Sequence, residues 1–258
     1  MNFKSLYLLT FFFIFSFHAS SQKTKKLRKY TLSNKIADIN IGYNYQFPSA
    51  DLLNRFGNFN SIYIGASLKS RSQWFISVEA NYMFGSEIKE INILNNVSNS
   101  SGIINDMSGN PGKYSIGMRG YGFYGKFGRL FPISRYNKNS GILAMAGAGY
   151  MFHWINFNIP QDNIAQIGPD YQKGYDRLSA GLAYNLFTGY MFHSQNRLLN
   201  FYAGVDLTNA YTQSVRGYNF DEMKKDDANR FDQIISMRFG WLIPIYLNTK
   251  DENEFEFK

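Results

Sequence analysis

From Gln233 to Tyr246 the chain reads QIISMRFGWLIPIY, and every second residue is bulky and apolar: Ile235, Met237, Phe239, Trp241, Ile243 and Ile245. Ser236, Arg238, Gly240, Leu242 and Pro244 alternate with them. A period of two makes a strand with two unlike faces. One face is too apolar for water, and no comparable amphipathic helix follows to cover it. The other face carries an arginine. A strand set between lipid and the lumen of a transmembrane barrel satisfies both faces.

Similar patterns predict seven further strands, at Ala37–Phe47, Ser61–Leu68, Gln73–Phe84, Tyr114–Phe131, Gly141–Phe157, Leu178–Phe192 and Leu198–Thr212. Pro48 should end the first, because proline has no N–H for the ladder. The glycine-rich fourth strand loses its alternation near Arg119, which suggests a bulge or a close side-chain crossing there. The fifth mixes small and large residues, and its two files are not separable by pattern. Between strands three and four, Gly85 to Lys113 has loop composition, with Ile88, Ile91, Ile93 and Leu94 forming a short helix or packing on a barrel rim. Connections one, three, five and seven are long; two, four and six are short. That asymmetry fits an up-and-down barrel with short periplasmic turns and long external loops. The expected fold is all-β: an eight-stranded antiparallel transmembrane barrel, its interior filled by side chains. Ten strands result if the second or fifth connection hides a hairpin. The competing fold, a soluble sandwich or lipocalin-like barrel, would turn the bulky file inward and the charges outward.

The chain ends add to this. Residues 1–21 have Lys4, an apolar core from Leu6 to Phe17 and small residues from Ala19 to Ser21, the layout of a signal peptide cleaved near Ser21 or Gln22. The apolar core is shorter than the ~20 residues of a spanning helix. Residues 22–36 hold Lys23, Lys25, Lys26, Arg28 and Lys29 and read as a basic periplasmic segment, solvated or touching anionic headgroups. The barrel occupies 37–248, and 249–258 is an acidic tail. With 19 Tyr and 24 Phe, the composition suits strands and aromatic interface girdles. A mean hydropathy of -0.31 excludes a helical membrane bundle but not a barrel, whose strands average out. The absence of cysteine removes disulfides, thiolate metal sites, cysteine nucleophiles and acylation at cysteine. The net charge of +8 raises the question of nucleic acid. In an exported strand-rich chain, lipid headgroups or polysaccharide are the more natural counter-charges, and no nucleic-acid partner is expected.

The signal ending in Ser-Gln, the opening IGYNYQFPSADLLNRFG, the strand WFISVEANYMFG, and the pair KGYDRLSAG and LLNFYAGVD resemble a family of small, uncharacterised outer-membrane β-barrel proteins of the Bacteroidota. The resemblance spans nearly the whole mature chain. It implies the cell outer membrane as location, with outer-membrane lipid, lipopolysaccharide and the barrel-assembly machinery as partners. It brings no catalytic residues. Some barrels of this group serve type IX secretion or gliding, and no motif here marks that role. The last strand is similar to an outer-membrane assembly signal at Gly240, Ile243, Ile245 and Tyr246, and departs from it at Pro244 and in the tail beyond Tyr246.

Candidate chemistry is sparse. Glu79, Arg119, Lys126, Asp206 and Arg238 would meet inside the barrel, as a salt-bridged plug or as a polar conduction path, since unpaired charges there cost several kcal/mol each. An acyl-transfer site on lipid A needs a histidine with a serine and a carboxylate. His153 lies at the right depth, with Asp162, Asp170 or Ser179 as helpers, against the plainer reading of a rim or aromatic-belt histidine. His193 falls beside the short turn after strand six. Asp221, Glu222, Asp226 and Asp227 could attract a hard cation, but Lys224 and Lys225 interrupt them and a solvated loop is favoured. No cofactor or metal is expected. The favoured function is a non-enzymatic structural or partner-interaction role through the external loops, chiefly Gly85 to Lys113 and Gly217 to Arg230. The alternatives are an accessory of type IX secretion or gliding, a lipid A-modifying enzyme, and a small solute pore.

Overall fold

The computed structural model describes residues 33–90, 92–160, 164–194 and 199–247. The expected signal peptide, residues 22–32 of the basic segment, the acidic tail, Ile91 and Asp162 lie outside these residues. The alternating segments form eight long strands: β1 (Lys35–Ala50), β2 (Phe59–Lys69), β3 (Trp74–Gly85), β4 (Ser115–Pro132), β5 (Gly141–Asn158), β6 (Ser179–His193), β7 (Asn200–Ser214) and, after a two-residue hairpin of β8 (Tyr218–Asn219) and β9 (Lys224–Lys225), β10 (Arg230–Leu247). Each pairs antiparallel with its chain neighbours, and β1 pairs with β10 to close the ring. Eight strands make the barrel. The extra hairpin stands outside the ring, in the seventh connection rather than the second or fifth.

Two expectations about strand continuity are corrected. Pro48 does not end β1; it pairs in register with Ile234, and Pro244 pairs with Asp38. The reason lies in the other edges. Pairing of β1 with β2 stops at Gln46 and Phe59, and pairing of β10 with β7 stops at Trp241 and Phe201. Each proline therefore sits where its strand has a partner on one side only, the setting in which a missing N–H is tolerated. Near Arg119 the register runs unbroken against both β3 and β5, so β4 has no bulge there; the close crossing is what the strand shows, since a Cβ on Gly120 would stand 2.8 Å from Met83 Cε. The 85–113 connection holds turns and no helix among its described residues, and Ile93 and Leu94 pack into the core.

The faces separate cleanly. Ile41, Ile64, Ile76, Val78, Phe123, Phe127, Leu182, Leu186, Val205, Met237, Phe239 and Trp241 lie exposed on the outer wall, while Asn40, Asn44, Ser77, Glu79, Lys126, Asn185, Asp206 and Arg238 are buried in the lumen. In β5 the odd residues Leu143, Met145, Met151, His153 and Ile155 turn inward. Outward rings pack on one another: Tyr82, Tyr121 and Trp154 in series, with centroids 5.3 and 5.7 Å apart, and Trp74 stacked on Phe127 at 4.9 Å.

The closing seam depends on two glycines. Gly42 faces Gly240 across β1 and β10. Tyr63, opposite Gly42 on β2, lies over β1 along the lumen wall and donates its hydroxyl to the Phe239 carbonyl of β10 at 3.1 Å. A Cβ on either glycine would stand 2.2 Å from that hydroxyl oxygen. Gly42→Val is therefore expected to destabilise the barrel by about 1–3 kcal/mol through overpacking. Gly125→Val, where an added Cβ meets nothing within 4 Å, should leave the urea midpoint unmoved. Equal midpoints for the two variants would refute the seam argument.

Candidate functional site: a charge-locked lumen beneath a tied cap

The lumen is built in layers. At mid-height, strands β3, β4, β7 and β10 each contribute one charge. Arg238 bonds Glu79 through Nη2 at 2.6 Å and Asp206 through Nη1 at 3.1 Å. Lys126 Nζ reaches the same two carboxylates at 2.9 and 3.2 Å. Two cations and two anions thus close a neutral ring across the barrel. Arg238 also donates to the Tyr202 hydroxyl at 3.2 and 3.0 Å and lies 3.8 Å from the centroid of the Tyr63 ring. Ser77 donates to Glu79 at 3.3 Å, and the Asn185 amide donates to Asp206. These partners are what makes burying four charges tolerable.

Apolar layers sandwich the ring. Towards the short turns lie Phe75, Leu130, Leu143, Phe187, Met191 and Leu242. Below them, His193 Nε2 meets Asp38 at 3.0 Å while Nδ1 lies 3.1 Å from the Asn139 carbonyl. Towards the long loops, Met83, Met118, Met151 and Ile155 pack with Leu52 and Phe56 from a one-turn helix (Leu52–Arg55) and its exit, and with Ile93, Leu94, Ile104, Ile164 and Ile167 from the longer loops. Buried side chains thus occupy every layer of the lumen between the short turns and the long loops.

The five predicted interior charges divide four to one. The structure brings Glu79, Lys126, Asp206 and Arg238 together. Arg119 points outward between Phe84 and Trp154, half-buried, with Nη1 donating to the Met118 carbonyl at 2.8 Å. Its parity explains this: in an unbroken β4 it shares a face with Tyr121 and Phe123, not with Lys126. His153 is also corrected. It is neither a rim nor a belt residue but a lumen residue, bonded through Nε2 to Asp232 at 2.9 Å, with the Phe56 ring edge-on at 5.7 Å. Thr212 donates to the same carboxylate at 2.6 Å. Asp170 is exposed and pairs with Lys173, and the Ser179 hydroxyl accepts from Arg55 and donates to the Arg177 carbonyl. Ser179 does stand opposite His153 across β5 and β6, but among the described residues its hydroxyl bonds Arg55 and Arg177 rather than the imidazole, and Asp170 is out at the surface, so no serine–histidine–carboxylate relay is hydrogen-bonded together. Gly240, Ile243, Ile245 and Tyr246 lie on β10, the first inward and the two isoleucines on the outer wall.

Above the mouth, the loops are tied by ion pairs whose sequence signal is weak, because the partners lie far apart along the chain. Arg55 and Arg177 both bond Glu90 at 3.0 Å. Arg177 further holds Asp221 at 2.7 Å and Glu222 at 3.3 Å. Arg230 pairs with Asp226, and Arg216 with Asp176 at 2.6 Å. The 217–230 loop is therefore not merely solvated: Asp221 and Asp226 are built into the cap. Burial works against the charge of Arg177, but Glu90 and Asp221 outweigh it and raise its pKa; burial pushes the Asp221 carboxyl up. Between these loops lies a cleft of about 480 Å³, walled by Arg55, Glu90, Arg177, Asp221, Asp226 and Arg230 among others. Among the described residues no group of acids, histidines or cysteines has metal-binding geometry.

No protein-family model matches the sequence, and no curated protein matches it. Solved structures do. Neisserial surface protein A (NspA) aligns at 10% identity over 80% of this chain and 96% of its own, with a TM-score of 0.42. Ail, the attachment invasion locus protein of Yersinia pestis, solved with the heparin analogue sucrose octasulfate, aligns at 13% identity over 81% and 99%, with a TM-score of 0.36. The outer membrane protein OprG from Pseudomonas aeruginosa aligns at 10% identity over 84% and 99%, with a TM-score of 0.34. A closed antiparallel barrel with an aliphatic and aromatic outer wall and a lumen of paired charges is a membrane-spanning protein, and the cell outer membrane is where such barrels reside.

Proposed function

We propose that the protein is a non-enzymatic, non-conducting outer-membrane anchor that presents a pre-shaped loop cap at the cell surface, in a structural or partner-interaction role. The observation that carries this reading is the cap itself. Arg177, just before β6, is ion-paired to Glu90 of one loop and to Asp221 and Glu222 of another, so three loops share one buried cation. Loops joined in this way lose little freedom on meeting a partner, which favours recognition. The filled lumen leaves the loops as the part that can act on the surroundings.

In this reading residues 1–21 direct export, and residues 22–36 and 249–258 lie on the periplasmic side with the short turns. The rings near Trp154 and Trp74 serve as the two interface girdles. Gly240, Ile243, Ile245 and Tyr246 on β10 are the segment met by the assembly machinery. Purified protein in planar bilayers is expected to give no stepwise conductance, and vesicles containing it no sugar-driven swelling. Reproducible channels, or solute entry above that of empty vesicles, would replace the anchor with a pore.

A further inference from the structure

We infer that the cleft between the surface loops is a binding site for an uncharged, polyhydroxylated ligand, a saccharide unit. This deepens the proposed surface role and rests on it. The walls carry five basic and five acidic side chains, largely paired with one another. A ligand with net charge would meet as many like charges as opposite ones. One rich in hydroxyls, each both donor and acceptor, suits a wall that offers both functions.

The wall does offer both. Arg177 Nη1 is a buried donor without a hydrogen-bond partner among the described residues, and the carboxylates of Asp221 and Asp226 are acceptors beside it, the second held by Arg230 and the Asn219 amide, with Oδ2 4.0 Å from Arg55 Nη2. The Arg177 and Asp226 side chains are only 6% and 4% exposed, so these are interior groups and not surface charges free in water. Buried polar atoms left without partners are costly, and a ligand that satisfies them gains accordingly. The amides of Asn92 and Asn219 line the same cleft and add further donors and acceptors. Its volume falls within the range of small-ligand sites.

The same chemistry is available from the glycan of lipopolysaccharide in the protein's own leaflet or from a free glycan outside the cell. The test uses the full mature chain in nanodiscs, with ligand-observed NMR and calorimetry. The probes are neutral hexose and N-acetylhexosamine oligomers, the uncharged fraction of the glycan released from purified lipopolysaccharide, and two zwitterions, glycylglycine and phosphocholine. Saturable binding of a neutral or released saccharide is expected, and which arm binds identifies the source. Arg177→Ala removes the orphan donor and is expected to weaken binding tenfold or more, but it also unties the cap. Lys89→Trp is therefore the second variant: Lys89 is an exposed rim residue, and an indole there should obstruct the cleft while leaving the melting temperature unchanged. Absence of saccharide binding by folded protein, binding of the zwitterions alone, or saccharide binding that Lys89→Trp leaves intact would each overturn the inference. None of these outcomes bears on conductance, so a silent bilayer with no saccharide binding removes the ligand and leaves the anchor.

Discussion

Arg238→Ala is expected to lower the free energy of unfolding by about 3–5 kcal/mol, the cost of stripping one partner from a buried ion pair. The substitution leaves Glu79 and Asp206 with Lys126 alone, so a neutral four-membered ring becomes a buried net negative charge. It also removes the guanidinium from the face of Tyr63 and from the Tyr202 hydroxyl. The charge argument can be separated from packing. In Arg238→Met combined with Glu79→Gln, Lys126 and Asp206 still balance and most of the volume is kept. The double variant should recover a substantial part of the loss, because neutral replacements of buried ion pairs are often well tolerated. Urea unfolding in vesicles, followed by tryptophan fluorescence, gives both midpoints. An unshifted midpoint for Arg238→Ala would mean that the ring does not support the barrel. A double variant no better than the single one would assign the loss to packing rather than to charge.

This ring was legible in the sequence to the extent that alternation is legible. Glu79, Asp206 and Arg238 stand in strands whose bulky residues fall cleanly on the other face, so their inward direction follows from parity. Arg119 was misplaced because the glycines of β4 blur the pattern: positions without side chains do not report which face they occupy. An odd separation of seven from Lys126 forbids the two from sharing a face in a continuous strand. That criterion identifies Arg119 as outward without coordinates, provided no bulge intervenes. The prolines misled for a related reason. Pro48 and Pro244 would interrupt a strand paired on both sides, and only the stagger of neighbouring strand ends shows that each is paired on one. The cap was the least legible part. Arg55, Glu90, Arg177 and Asp221 belong to four separate stretches, and nothing local in any of them announces that they meet. The two histidines were opaque for the same reason: their carboxylate partners, Asp232 and Asp38, lie 79 and 155 residues away.

Ile64→Arg is expected to cost about 2–4 kcal/mol if it sits near the middle of a hydrocarbon layer. Ile64 lies mid-way along β2, 57% exposed on the outer wall, between Ile41 and Ala80 on the adjoining strands. In water an arginine at so open a site would change stability by no more than about 0.5 kcal/mol. The size of the effect therefore reports the surrounding medium rather than the packing of the site. Leu53→Arg supplies the control: Leu53 is similarly apolar and 42% exposed, but it belongs to the one-turn helix beyond the end of β1, outside the belt. The belt variant should lower the vesicle unfolding free energy by several times the change in the loop variant. It should also lose that penalty when the sites are compared in short-chain detergent, which lets the guanidinium reach water along its flexible stem. If Ile64→Arg is as harmless as Leu53→Arg in vesicles, the outer wall does not face hydrocarbon, and the exposed file of isoleucine, phenylalanine and tryptophan must be covered by something other than lipid.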